Sequence, residues 1–221
     1  MIRLFITLAF LFIQFNAGSQ SLEEIKSAAG KDQWEKARSG IDRWLSDATN
    51  AKNPEGWYLK SLILFKIVSN KESRALAPAG QRESFDAYKK YLDLLAAQKK
   101  EIPADHEILF GLYFNEVDRA NHEFQYKNYA EALQGFLEVE EMEQYMLKKG
   151  LQYQDFRFPA FDTQLYVNIA AAAASAGRED LALDYYRKIA DQKIAGKGFD
   201  GIYRYLVDRF DKKGDRSTRD K

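Results

Sequence analysis

YKNYAEALQGFLEV, residues 126–139, places one small side chain, Ala132, in a helical stripe that is otherwise large: Tyr129 three before it, Phe136 four after it and Val139 three further on. Spacings of three and four keep these positions on one face of a helix. The same spacing recurs in DQWEKARSGIDRWL as Trp34, Ala37, Ile41 and Trp44. Weaker copies are Glu179, Ala182, Tyr186, Ile189 in GREDLALDYYRKIA, and Gln81, Ser84, Tyr88, Tyr91 in QRESFDAYKKYL, both with a polar first slot. In the last of these, Phe85, Tyr88, Leu92 and Leu95 satisfy the spacing equally well one residue on. A small side chain in such a stripe lets the preceding helix approach closely while its large neighbours fill that helix's grooves.

Working outward, FQYKNYAEAL and AASAGREDLA leave only two or three residues between one helical pattern and the next, and a link that short forces an antiparallel pair. Apolar spacing of three and four elsewhere, with no Asn-Gly or Asp-Gly hairpin signal, predicts an all-α chain. The expected helices span about 22–29, 33–48, 55–69, 79–98, 105–126, 129–149, 160–176, 179–193 and 200–213. Pro54, Pro78, Pro103 and Pro159 each precede an apolar-periodic stretch and are expected at helix starts, where a missing N–H costs nothing. Asp32 with Glu35 and Asn128 with Glu131 have the spacing of capping boxes. Lys99, Lys100, Lys148 and Lys149 fall at helix ends, where cations complement the dipole.

These stretches resemble the tetratricopeptide repeat, in its secreted bacterial form. Tyr129 matches the aromatic slot after the turn, Ala132 the small slot and Phe136 the aromatic slot four later; the copies at 32–45 and 177–190 follow the same outline. Ala120 and Ala170 stand where the family keeps a small residue in its first helix. The resemblance covers most of residues 22–215. The small slots at 37, 84, 132 and 182 are 47 to 50 residues apart, against about 34 in the family. The excess lies in longer helices and in loops such as DATNAKNPE, SNKESRALAP and KGLQYQDFRFP. An irregular helical bundle is the competing architecture. The resemblance implies antiparallel helix pairs stacked as a solenoid, with the first helix of each pair lining a concave groove for an extended peptide or a partner's helix. By register, that groove would be lined by Tyr58, Leu62, Lys66, Asn121, Gln125 and Arg204.

Three further stretches bear on the architecture. WYLKSLILFKIV, 57–68, is apolar nearly all round, as suits a helix sandwiched between neighbours. IAAAAASAG, 169–177, makes a helix of minimal girth that flanking helices can approach. GIYRYLVDRFDKKGD resembles the first helix of a further pair whose second helix is missing, so residues 216–221 read as a polar tail or as the start of a truncated continuation.

The first nineteen residues read as a cleaved secretory leader: a cationic MIR, an apolar run of twelve, and small residues Ala17 and Ser19 before the cut. The run is short of the roughly 20 apolar residues a membrane span needs. Residues 20–215 are expected to form the repeat domain of a secreted or periplasmic protein.

Balanced charge, 33 basic against 33 acidic side chains, argues against nucleic acid as a partner. With no cysteine, disulfides, thiolate metal sites and cysteine nucleophiles are excluded. His122 lacks the second histidine four residues on that a zinc helix needs, because position 126 is Tyr. His106 stands without a nucleophile motif and reads as a partly exposed polar residue. GKGFDG, 196–201, is a loop after a helix rather than a phosphate cradle. Glu138 and Glu141 read as a solvated acidic face. The expectation is a non-enzymatic protein-interaction scaffold of the cell envelope, with no cofactor or metal. A small-ligand or polysaccharide-binding protein is the alternative, and a helical hydrolase the more distant one.

Overall fold

The computed structural model describes residues 20–214 apart from 195 and 197; the expected leader at 1–19 and the expected tail at 216–221 lie outside the described residues. Among the described residues there are nine α-helices and no strand. They are α1 (Leu22–Ala29), α2 (Trp34–Leu45), α3 (Pro54–Ser69), α4 (Gly80–Ala97), α5 (Glu107–Gln125), α6 (Tyr129–Lys149), α7 (Thr163–Ser175), α8 (Glu179–Asp191) and α9 (Asp200–Lys213).

Three short links share a backbone turn that also ends α4 at Lys99 and α6 at Gly150. Asp32, Lys127 and Gly177, each two residues ahead of the next helix, take left-handed φ values of 55°, 64° and 74°. The following amide reaches back five residues: Gln33 N to Ala28 O at 3.0 Å, Asn128 N to Glu123 O at 2.9 Å, and Arg178 N to Ala173 O at 2.8 Å. Such a bond satisfies a carbonyl left open at the end of the first helix. Five residues beyond each left-handed residue stand Ala37, Ala132 and Ala182, all fully buried. Their amides bond to Gln33, Asn128 and Arg178 O. The three copies therefore fold alike from the turn to the small side chain.

The expected capping boxes at Asp32 and Asn128 do not form. Asp32 lies one residue too early, inside the left-handed turn, so Gln33 occupies the cap. Asn128 does occupy its cap position, but its amide donates to Glu123 Oε2 at 2.7 Å. A reciprocal box is present instead at Ser21 and Glu24, opening α1. Of the four prolines only Pro54 begins a helix; α4 starts two residues after Pro78, and α5 and α7 start four residues after Pro103 and Pro159. The three displaced prolines sit in the connecting segments, where a missing N–H breaks no ladder.

Pairing is antiparallel. Along α5 and α6, Phe124 meets Tyr129 at the turn with ring centroids 5.3 Å apart. Further from the turn, a Cβ on Gly135 would fall 2.9 Å from that of Ala120. Along α3 and α4, Gly80 sits against Val68 and Leu64, and Ser61 and Ser84 exchange hydroxyl-to-carbonyl bonds of 2.9 and 2.8 Å. Along α7 and α8, Tyr166 meets Tyr185 at 5.4 Å. The link from α3 to α4 is longer and contains a 3₁₀ turn, Arg74–Leu76, in place of the left-handed turn. On α4 the stripe Phe85, Tyr88, Leu92, Leu95 forms the core face, and Ser84 is buried beside it.

Pairs also pack on their neighbours: α2 on α3, α3 and α4 on α5, α6 on α7, α8 on α9. Apolar burial falls into three clusters along the chain, carried by α1 to α3, by α3 to α8, and by α8 with α9. No helix among the described residues is long and apolar enough to cross a membrane.

Candidate functional site

Spacings of four, three and one put Tyr58, Leu62, Phe65 and Lys66 on one face of α3. This face is flanked on one side by α1 and on the other by α5, both of which pack against α3. Phe65 anchors α5: a Cβ on Gly111 would lie 2.5 Å from its ring, so only glycine admits the ring there. Two hollows open beside the stripe. One, of about 280 Å³, is floored by Ala29, Trp34, Leu59, Leu62 and Ile63, with Lys26 and Lys66 contributing to its wall. The other, of about 370 Å³, lies between Tyr58, Leu62 and Lys66 of α3, Tyr88 and Tyr91 of α4, and Asp105 and Glu107 at the entry to α5. Leu62 and Lys66 line both, so the hollows adjoin across α3.

The second hollow holds a tyrosine cluster. Ring centroids are 5.2 Å apart for Tyr58 and Tyr91, 5.4 Å for Tyr88 and Tyr91, and 6.3 Å for Tyr58 and Tyr88. Tyr58 is 38% exposed and presents much of its ring to solvent, whereas Tyr88 is buried. Burial, with the neighbouring Tyr91 and Tyr58 adding to it, pushes the Tyr88 phenol far above its ordinary range. Behind it sits His106. It is 3% exposed, not the partly exposed residue its surroundings in the sequence suggest, because its Nδ1 lies 3.1 Å from the Tyr88 hydroxyl. Burial holds the imidazole below the usual histidine range, with Asp105 opposing.

Of the six residues expected in a groove, the structure brings together Tyr58, Leu62 and Lys66. Asn121 is half-buried, Gln125 and Arg204 are exposed, and none of these three lines the hollows beside α3. The segment after α6 adds to the separation. Its Tyr153, Phe156 and Phe158 pack on Phe110 of α5 at 5.6 to 5.7 Å, and Phe156 reaches Phe114 at 5.3 Å. The face of α5 that would continue the groove toward α7 is therefore covered by the chain itself.

A larger hollow, about 400 Å³, lies on another side and is lined by Arg74, Arg82, Asn115, Glu116, Arg119 and Glu138. Its charges are mostly answered internally. Glu116, 1% exposed, takes Arg119 Nε at 3.0 Å, and Arg82 holds Asp86 at 3.0 Å and Glu141 at 3.1 Å. Glu141 is thus a bridge between α4 and α6 rather than part of a solvated acidic face, while Glu138 accepts a bond from Gln134. Burial raises the Glu116 carboxyl above its ordinary range against the pull of Arg119. His122 stacks on Tyr126 with centroids 4.4 Å apart, at the surface. No group of three or more His, Asp or Glu among the described residues is placed to hold a metal ion.

Sequence reasoning missed Tyr91, Asp105 and Glu107. They come from α4 and from the segment before α5, and only the packing of those elements on α3 brings them to Tyr58. Comparison with protein-family models, with curated proteins and with solved structures finds no match to this chain.

Proposed function

We propose that this protein is a non-enzymatic interaction scaffold built as a tetratricopeptide-like stack of helix pairs, and that it holds an extended segment of a partner protein along the exposed face of α3. The observation that carries the reading is the pair of adjoining hollows sharing Leu62 and Lys66. One is apolar and the other aromatic with polar edges, an arrangement suited to anchoring successive side chains of a peptide. A buried alanine five residues beyond the left-handed turn, in three helix pairs, supports the repeat architecture. The leader-like sequence at 1–19 and the absence of cysteine support a secreted or periplasmic setting.

The test is affinity capture from envelope extract with the wild-type chain and with Leu62→Glu, after confirming that both melt alike. A protein retained by the wild type and lost with Leu62→Glu, and whose contact site maps to α3 by cross-linking, supports the scaffold. Identical capture by both chains, or retention of carbohydrate alone, overturns it.

A further inference from the structure

Asp105 and Glu107 both line the tyrosine hollow, and neither is in an ion pair among the described residues. Asp105 accepts the Glu107 backbone N–H at 3.1 Å, which fixes the Asp105 carboxylate at the entry to α5, two residues before that of Glu107. Between them in sequence, His106 is buried, bonded to Tyr88 and held below the usual histidine range, so at neutral pH it brings no positive charge to offset them. The same hollow is lined by the rings of Tyr58, Tyr88 and Tyr91, whose centroids lie within 6.3 Å of one another. The negative face of an aromatic ring attracts a cation, and more strongly where the site is partly desolvated. Lys66 also lines this hollow but is in no ion pair with either carboxylate, so acidic groups outnumber basic ones two to one, and tyrosine rings beside them suit a cationic ligand.

We infer that the hollow between α3, α4 and α5 receives a lysine or arginine side chain of the partner segment, held by the Tyr58 and Tyr91 rings and the carboxylates of Asp105 and Glu107, with the buried Tyr88 backing the two rings. This rests on the groove reading above and specifies its ligand. The adjoining hollow floored by Ala29, Trp34, Leu59 and Ile63 then takes an apolar side chain of the same segment. Lys66, which lines both hollows and has no ion-pair partner among the described residues, stands between them, where it can hydrogen-bond a backbone carbonyl or an acidic side chain of the peptide. The recognised pattern is an apolar residue and a basic one at short spacing.

The test is a positional-scanning library of acetylated, amidated synthetic hexapeptides bound to the purified chain, repeated with Asp105→Asn/Glu107→Gln and with Leu62→Glu. Asp105→Asn keeps an amide oxygen for the Glu107 N–H, and a melting curve checks that the fold is retained. Enrichment of Lys or Arg at one position, with affinity reduced about tenfold or more in the double variant, supports the inference. Enriched peptides that lack a basic residue yet are lost with Leu62→Glu overturn the inference and leave the groove standing. Basic peptides held equally by the double variant also overturn it. A library with no enriched peptide sinks the groove and the inference together.

Discussion

The Tyr88 hydroxyl lies 3.1 Å from Nδ1 of His106, and both side chains are buried. One hydrogen bond therefore ties the middle of α4 to the residue that opens α5. Tyr88→Phe would leave the imidazole nitrogen without a partner, and unfolding in urea is expected to show a loss of about 1–2 kcal/mol. Because burial lowers the His106 pKa, the folded state binds its proton less readily than the unfolded chain. The contribution is present above the ordinary value of 6.5 and is lost as pH falls below it. His106→Gln should flatten the fall in stability between about pH 7 and pH 5.

Glu143 titrates with the opposite sign. It is 6% exposed, its Oε2 has no hydrogen-bond partner, and burial, with Asp162 and Glu140 nearby, pushes its carboxyl up to about 7. The folded state thus favours the protonated form. Its contribution is full below the ordinary value of 4.5 and is lost as pH rises through about 7. Glu143→Gln cannot ionise, so it should be more stable than wild type at pH 8 by roughly 1–3 kcal/mol and nearly equal to it at pH 4. Melting curves at the two pH values check this.

Glu116 is the most deeply buried carboxylate among the described residues, and Arg119 on the same helix is its ion-pair partner. Arg119→Met leaves that carboxyl in the interior unpaired, at a cost of about 2 kcal/mol, below the usual range because Arg119 itself is partly exposed. Adding Glu116→Gln to the same chain removes the charge and should restore part of the loss. Urea unfolding of the two single variants and the double variant gives the coupling directly.

The helices were legible because spacings of three and four, and two- or three-residue links, are local signals. Buried acids leave the same local signal: Ala132, Phe136 and Val139 continue to Glu143 at this spacing, and Leu109 and Leu112 continue to Glu116 and Ala120. An acid that falls on a core stripe is a buried acid. The spacing marks Ala132 as the small contact residue, and Gly135, three residues on, is a second one, where a Cβ would meet Ala120. Gly40 stands at the same offset from Ala37, and a Cβ there would come within 3.1 Å of Ile25. The small slot is therefore two residues deep in those pairs. The tyrosine hollow had no local signature. Tyr58, Tyr91 and Asp105 are far apart in sequence, and the contact of α3 with α4 and α5 is what assembles them.

The nesting of helix pairs on small side chains underlies both the fold and the face that α3 presents, and it is tested most directly by thermal melting of two variants of α6. Ala132 is fully buried, whereas Ala130, two residues earlier on the same helix, is exposed. Ala132→Leu adds volume where α5 and α6 meet, and overpacking of about 1–3 kcal/mol lowers the melting temperature of a chain this size by roughly 3–10 °C. Ala130→Leu should leave it within about 1 °C of wild type. Equal melting of the two variants would contradict close nesting of the pairs at this position.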